Sequence, residues 1–200
     1  MATVDVKKPA RQKAEVRRRA DLIAATIAEI GSVGSLDVTV GRIAKRAGIS
    51  PALAFHYFGD KDTLFLTAMR HVLKTYGLDV KRRLSQTANS RDRAEAIVAA
   101  SFSVQNFQRG SIAAWLNFYV LAQKSPQARR LLDVYRRRLI SNLSHALRPL
   151  IGSGAPGAAE RLGGLVDGLY LHAALDTETS ASEAKAHVIA ALNRELGAAR

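Results

Sequence analysis

The sequence predicts an all-α protein of about nine helices, arranged as a small N-terminal three-helix head and a larger helical body. Two observations carry this prediction. Apolar residues recur at steps of three and four residues through nearly every segment, which is the period of an amphipathic helix. No segment alternates apolar and polar residues over the length of a convincing strand. A polar run at 85–90 and a glycine-rich run at 151–157 mark the clearest breaks.

The head begins with a helix that ends near Gly31–Gly34 and presents apolar residues such as Leu22 and Ile30 on one face. Thr39 is a suitable N-cap for a second helix. Gly48 follows its last turn, where a left-handed backbone conformation is usually needed. Ser50 then caps a third helix, and Pro51 occupies its first position, where a missing N–H costs nothing. Residues 39–58 therefore predict a helix-turn-helix, a motif that places the start of its second helix in the major groove of DNA.

The body follows a long fourth helix, which Asp60 caps and which continues toward Leu84. We expect further helices over 91–107 and 111–123, a long one from Pro126, a loop over 151–157, and two last helices over 158–175 and 182–196. The long helix carries one apolar stripe: Leu132, Tyr135, Leu139, Leu143, Leu147 and Leu150. These boundaries divide the chain into a DNA-binding domain at 15–75 and a ligand-binding and dimerisation domain at 76–200.

Composition excludes several classes of function. The chain of 200 residues has no cysteine, so neither a disulfide nor a thiolate metal site is possible. No apolar run reaches the ~18–20 residues that span a bilayer, and the N-terminus lacks the apolar core of a signal peptide, so we expect a cytoplasmic protein. An enzyme, a metal site and a bound cofactor are not expected, because no glycine-rich phosphate loop is present and the histidines lack ligand spacing. They are His56, His71, His145, His172 and His187.

The net charge of +13 suggests a polyanionic partner. The excess is spread along the chain, since residues 1–76 hold 13 Lys and Arg against 7 Asp and Glu, and residues 77–200 hold 17 against 10. A basic flexible arm is expected over residues 1–14. The cations from this arm into the first helix face one acidic residue, Glu15; they are Lys7, Lys8, Arg11, Lys13, Arg17, Arg18 and Arg19. Such an arm either lies along DNA phosphates or reaches a minor groove, or it is a solvated tail.

The head also resembles a known family. The residues Gly48-Ile49-Ser50, Phe55-His56-Tyr57-Phe58, Lys61 and Leu64, with the upstream helix over 18–34, resemble the DNA-binding domain of TetR-type repressors. The family usually has Tyr where this chain has Phe55, so one hydroxyl is missing. The resemblance implies phosphate contacts from Thr39, His56, Tyr57 and Lys61, with backbone donors at Ser50. It implies base-facing positions at Pro51, Ala52, Leu53 and Phe55, and we keep Arg42 and Lys45 as further DNA-contact candidates.

The proposed base-facing side chains lack the bidentate donors and acceptors that discriminate bases most strongly, so thymine methyl contacts and DNA shape carry more of the specificity. One head supplies little affinity, and a two-fold dimer that binds a near-palindrome is expected. TetR-type proteins pair through a four-helix arrangement. The candidate interface residues lie on the last two helices, where small residues allow close approach: Gly164, Leu165, Gly168, Leu169, Val188 and Leu192, with Gly163, Ala173, Ala184 and Ala191 beside them.

The body resembles the choline-responsive repressors of glycine betaine synthesis within that family, on residues 115–126, 135–139 and 164–175. The resemblance implies release from the operator by choline or betaine aldehyde. Proteins hold a trimethylammonium group with aromatic faces and carboxylates. The candidate effector residues are Trp115, Phe118, Tyr119, Tyr135, Asp167 and Tyr170.

Other interpretations stay open at this point. The same aromatic residues also fit a helical core, and His172 fits a core or an interface better than a proton sensor. A TetR-type repressor of efflux or catabolic genes with another hydrophobic or cationic effector is an alternative. A cationic RNA-binding or structural helical protein is a further one, whose affinity would ignore duplex sequence and follow salt alone.

Overall fold

The computed structural model describes residues 7–175 and 179–197, with side chains described from Gln12 onward. Over these ranges the chain forms nine α-helices and no strand, which confirms the all-α prediction. A 3₁₀ turn, Gly152–Gly154, lies between the seventh and eighth helices. The helices are α1 (Lys7–Val33), α2 (Val40–Arg46), α3 (Pro51–Phe58), α4 (Lys61–Leu84), α5 (Ser90–Ser101), α6 (Arg109–Lys124), α7 (Pro126–Ile151), α8 (Ala155–Leu175) and α9 (Ala181–Gly197).

Side-chain caps begin the helices of the head where the sequence predicts them. The hydroxyls of Thr39 and Ser50 each accept a hydrogen bond from the amide three residues on, both at 3.2 Å, and begin α2 and α3. The Asp60 carboxylate accepts the corresponding bond at 2.6 Å and begins α4. Each cap satisfies a backbone N–H that a helix start leaves unpaired. Gly48 and Gly59 follow α2 and α3 with φ of 67° and 77°, which a residue with a Cβ rarely adopts.

The first helix is longer than predicted. It begins at Lys7, so residues 7–14 of the expected flexible arm are helical, while residues 1–6 lie outside the described residues. Lys, Arg, Gln, Ala and Glu dominate residues 7–19, and all of these are strong helix formers. Pro9 falls in the first turn, where its missing N–H has no partner in the helix to lose.

Helix α5 ends at Ser101, six residues before its predicted end. The Asn106 side chain donates to the Ala100 carbonyl at 2.8 Å and satisfies an acceptor at the end of the helix. Phe102 and Phe107 turn into the core, with ring centroids 5.2 Å apart. The turn over 102–108 is therefore held by one amide and one aromatic pair, neither of which helical periodicity reports.

The predicted loop over 151–157 is also mostly helical, because Gly152–Gly154 forms a 3₁₀ turn and α8 begins at Ala155. Pro156 falls in the first turn of α8, where proline is tolerated. On α7 the predicted stripe is buried from Leu132 to Leu147, whereas Leu150 is exposed. Helix α7 lies at the centre of the body and packs against α4, α5, α6 and α8.

Two helices join the head to the body. Helix α4 begins in the head and continues into the body without a break. Helix α1 crosses α6 at two glycines, and a Cβ at Gly31 would lie closer than 3.0 Å to the Gly110 Cα, a separation that real Cβ atoms essentially never show. The Asn117 side chain of α6 donates to the Gly34 carbonyl at 3.1 Å. We call the contact of Gly31 and Gly34 with Gly110 and Asn117 the α1–α6 seam.

Candidate functional site

Helix α3 presents one face to solvent. Pro51, Ala52, Phe55 and His56 are exposed, whereas Ala54 and Phe58 on the opposite face are buried in the head. The Phe55 side chain is 48% exposed, so packing within the head does not account for its presence. Leu53 and Tyr57 are half-buried at the edge of this face. The structure thus brings together the predicted base-facing residues on an outward surface at the N-terminal half of a short helix.

Cations surround the far end of α3. The Arg19 guanidinium of α1 lies over the rings of Tyr57 and Phe58, 5.5 and 5.3 Å from their centroids. Lys61 Nζ lies 5.3 Å from the centroid of the Phe65 ring. The Arg19 contacts hold the aromatic end of α3 against α1, whereas the half-buried Lys61 packs on Phe65 of its own helix, α4. Tyr57 and Lys61 therefore lie beside the exposed face of α3.

A buried carboxylate fixes α2 to α1. Glu29 accepts hydrogen bonds from Arg42 Nε at 3.0 Å and from Arg46 Nε at 2.5 Å. Hydrogen bonding by Arg46, with the charges of both guanidinium groups, lowers the pKa of Glu29 against the opposing effect of burial. Arg42, a predicted DNA contact, is thus already paired in the free protein, while Lys45 on the same helix is exposed. Glu29 lies 13 residues from Arg42 in the sequence, and no local pattern links the two.

Four aromatic residues of the body form a cluster, which we call the aromatic cluster: Tyr76 of α4, Trp115 of α6, Tyr135 of α7 and Tyr170 of α8. The centroids of Trp115 and Tyr135 are 4.6 Å apart, those of Tyr76 and Tyr135 are 5.3 Å apart, and those of Trp115 and Tyr170 are 6.4 Å apart. The first two pairs are edge-to-face. Sequence reasoning missed Tyr76, although it lies within the predicted fourth helix.

The aromatic cluster lines a small cavity of about 20 Å³, to which Asn106 and Ser111 contribute polar side chains. That volume holds about one water molecule. The Tyr170 hydroxyl donates to the Ser101 carbonyl and also lies 3.3 Å from the Asn106 carbonyl. Burial raises the pKa of Tyr76 to about 12 and raises the pKa values of Tyr135 and Tyr170 further, so these phenols are neutral near pH 7.

Asp167 of α8 lies beside the cluster in a neighbouring pocket of about 270 Å³ that Tyr119 also lines. Its Oδ1 is buried and has no hydrogen-bond partner in the described part of the chain. Burial raises the pKa of Asp167, while hydrogen bonding with Tyr119 and the charge of Arg136 oppose that rise. The Tyr119 ring is 6.0 Å from that of Trp115 and so joins the carboxylate to the cluster.

The structure separates one predicted effector residue from the others. Phe118 is fully buried on α6 and lines neither the cavity nor the pocket of Asp167. Its position fits the helical core. Trp115, Tyr119, Tyr135, Asp167 and Tyr170 by contrast lie in one connected region.

The last two helices differ in what they expose. Gly164, Gly168, Leu171 and Leu175 follow one another on α8 at steps of four, three and four residues, and both leucines are exposed. A Cβ at Gly164 or Gly168 would meet nothing within 4 Å, so this stripe is open to close approach. Leu165 and Leu169 are half-buried beside it. We call these six residues the α8 stripe.

Other predicted interface residues face inward, contrary to the sequence interpretation. Val188 and Leu192 of α9 have no exposed surface and pack that helix onto the body. A Cβ at Gly163 would lie 2.7 Å from Ile140 Cδ1, so that glycine serves packing within the subunit. Helical periodicity identified the apolar face of α9 but not the surface that covers it.

No group of three or more His, Asp or Glu side chains is placed to hold a metal ion within 7–175 and 179–197. In the same ranges no helix combines the length and the apolar character needed to cross a membrane.

Comparison with family models assigns both parts of the chain. Residues 22–68 match the model of bacterial regulatory proteins of the TetR family. Residues 90–197 match the model described as the BetI-type transcriptional repressor, C-terminal. The first match lies within α1 to α4, and the second covers α5 to α9.

Individual relatives are similar over most of the chain. The chain is 50% identical over 165 residues to the HTH-type transcriptional regulator BetI of Brucella anthropi, which covers 82% of this chain and 85% of that protein. A transcriptional regulator of Pseudomonas aeruginosa has a similar structure, with a TM-score of 0.70, 27% identity, and coverage of 92% and 93% of the two chains. A protein of Saccharomonospora viridis, described as a transcriptional regulator and solved in complex with choline, shares the fold with a TM-score of 0.78 at 20% identity, over 89% and 96% of the two chains.

Proposed function

Because the chain belongs to the TetR family of bacterial transcriptional regulators and carries a BetI-type C-terminal domain, we propose that it represses genes for choline uptake and glycine betaine synthesis and that choline or betaine aldehyde releases it from its operator. It would act in the cytoplasm, where bacterial operators lie, and serve osmoprotection. The observation that carries the effector assignment is the aromatic cluster with the unpaired Asp167 oxygen beside it.

DNA binding is assigned to the exposed face of α3 in a homodimer. Thr39, His56, Tyr57 and Lys61 would contact phosphates, and the start of α3 at Ser50 would offer backbone donors to another. Pro51, Ala52, Leu53 and Phe55 would meet base edges, mainly as apolar contacts with thymine methyl groups. Arg42 would reach the backbone only by weakening its contact with Glu29. The largest contribution to affinity is then electrostatic and falls with added salt.

The dimer is assigned to the α8 stripe. An isologous pair of α8 helices would bury the two exposed leucines and use Gly164 and Gly168 for close backbone approach. Covering an exposed apolar patch of this kind is a common reason for subunit pairing. Two heads on one two-fold axis then bind two half-sites.

The effector is assigned to the space between the rings of the aromatic cluster. A trimethylammonium group gains about 0.5–2 kcal/mol from each favourable cation–π contact, more when water is excluded. The Asp167 carboxylate, whose Oδ1 lacks a partner, gains a counter-ion in the same step. The choline complex of the Saccharomonospora viridis protein supports this assignment as a property of a protein with the same fold.

The cavity volume of about 20 Å³ implies that the rings of the cluster move apart when the effector binds. Tyr76 belongs to α4, and Trp115 belongs to α6, so both helices that meet the head carry a residue of the cluster. Separation of these rings would move α4 or shift α6 at the α1–α6 seam, and either movement would change the spacing of the two heads.

The proposal is tested by fluorescence anisotropy with a labelled duplex from the region upstream of the gene. Choline and betaine aldehyde are expected to release the protein, whereas ethanolamine, which lacks the three methyl groups, is not. Trp115→Leu is expected to abolish the response to choline. Phe118→Leu on the same helix is the matched control and is expected to retain it, because Phe118 lies outside the cluster.

Two results would contradict separate parts of this proposal. If calorimetry detects no choline binding and the operator complex survives choline, the effector assignment is wrong, and a repressor responsive to another compound replaces it. If the protein binds the upstream duplex no more tightly than random duplex at low salt, the operator assignment is wrong.

A further inference from the structure

A groove of about 660 Å³ runs between α4 and α7, apart from the proposed choline site. Its walls include Leu73 and Leu84 of α4 and Leu131 and Val134 of α7, all half-buried. The volume lies within the range of small-molecule sites, about 300–1,000 Å³. A ligand lying in the groove would bury apolar side chains that the subunit alone leaves partly in water, and this is the main source of affinity for an apolar chain.

The rim of the groove is cationic. Arg70, Lys74 and Lys81 of α4 and Arg138 of α7 line it and are exposed. Within the described residues none of these four has a carboxylate within ion-pair distance. The nearby Asp79 is already paired with two other arginines of α4. This charge disfavours a cation such as choline in the groove and favours an anion.

We propose that the α4–α7 groove binds an amphipathic anion, a medium- or long-chain fatty carboxylate whose alkyl chain lies on the leucines and whose carboxylate pairs with the rim. Arg70 and Lys81 are eleven residues apart, which is about 16 Å along the helix and matches the length of an extended medium-chain fatty acid. The groove would thus give the protein a second small-molecule binding site besides that of its proposed effector.

The groove and the aromatic cluster share two residues. Tyr76 and Tyr135 line both spaces, and their edge-to-face pair forms the wall between them. An alkyl chain bound in the groove would contact the two tyrosine rings that must move apart when choline binds. The two ligands are therefore coupled, and by thermodynamic linkage each changes the affinity of the other by the same factor.

Dodecanoate, below its micellar concentration, is the probe. Calorimetry on the full-length protein measures its binding, and emission of Trp115, the single tryptophan, reports changes next to Tyr135. Lys74→Gln with Arg138→Gln is expected to weaken binding about tenfold, since two ion pairs at an exposed rim are lost. Arg137→Gln with Arg148→Gln removes the same charge from α7 outside the groove and is expected to leave binding unchanged.

The same titrations separate this proposal from the choline assignment. Choline binding is expected to survive the Lys74 and Arg138 changes, because neither residue lines the aromatic cluster. The groove proposal is overturned if dodecanoate does not bind, if an uncharged dodecyl detergent binds as well, or if both double variants weaken binding equally. Binding of choline with no binding of dodecanoate would leave the proposed function intact and remove the second binding site.

Discussion

Substitution of Gly31 by alanine tests whether the α1–α6 seam is as tight as its geometry indicates. The added Cβ would lie closer than 3.0 Å to the Gly110 Cα, and that atom belongs to a helix backbone that cannot rotate aside. Overpacking of this kind costs about 1–3 kcal/mol. Alanine in a helix regains about 0.5–1 kcal/mol over glycine. The free energy of unfolding is therefore expected to fall by up to about 2.5 kcal/mol.

Gly77→Ala is the matched control, because Gly77 lies inside α4 and a Cβ there would meet nothing within 4 Å. The free energy of unfolding of this variant is expected to rise by about 0.5–1 kcal/mol, because alanine favours a helix more than glycine does and no clash opposes it. Urea unfolding of both variants and the parent, at one protein concentration, measures the three values. Equal stabilities for Gly31→Ala and Gly77→Ala would refute the close contact and, with it, the role of the seam in joining head to body.

Three further predictions concern DNA, effector and dimer. Lys61→Gln is expected to weaken operator binding and to reduce the slope of log K against log salt by about 1, whereas Lys185→Gln in the body leaves both unchanged in gel-shift assays over a salt series. Because burial raises the pKa of Asp167, choline affinity is expected to rise with pH toward that folded-state pKa, and calorimetry across pH should find no such rise in Asp167→Asn. The stability that the protonated Asp167 side chain contributes to the free protein is lost as pH rises from its unfolded to its folded pKa, so the stability difference between the parent and Asp167→Asn should change over that window in denaturation experiments. Leu171→Asp is expected to give monomers that bind the operator poorly, and Val120→Asp, a similar change on exposed α6, to give dimers; light scattering that finds both dimeric would contradict the α8 stripe.

The sequence predicted the head well because its signals are local. Caps at Thr39, Ser50 and Asp60 act within three residues, and Gly48 acts within one turn, so short patterns contain the whole cause. The order and type of all nine helices followed from periodicity for the same reason. The early end of α5 did not, because it depends on where the rings of Phe102 and Phe107 find space in the folded body.

The candidate sites were predictable only in part. The resemblance to choline-responsive repressors pointed to Trp115 and Tyr135, but Tyr76 joins them across helices, and its part in the cluster depends on how α4 packs beside α7. Periodicity likewise gave the apolar face of α9 without stating that Val188 and Leu192 meet their own subunit. Long-range packing decides such questions, and a single sequence reports it weakly.

The size of the cavity inside the aromatic cluster has a consequence for ligand affinity. A space that holds about one water must expand before it admits a trimethylammonium group, so the measured dissociation constant equals the intrinsic one divided by the fraction of molecules already expanded. A ring that contacts the ligand can therefore lower its apparent affinity by stabilising the collapsed state. Replacing Tyr76 by a smaller residue would destabilise the collapsed state but would also remove one aromatic contact with the ligand. The apparent affinity for choline would rise if the free energy gained by the first effect exceeds the free energy lost by the second.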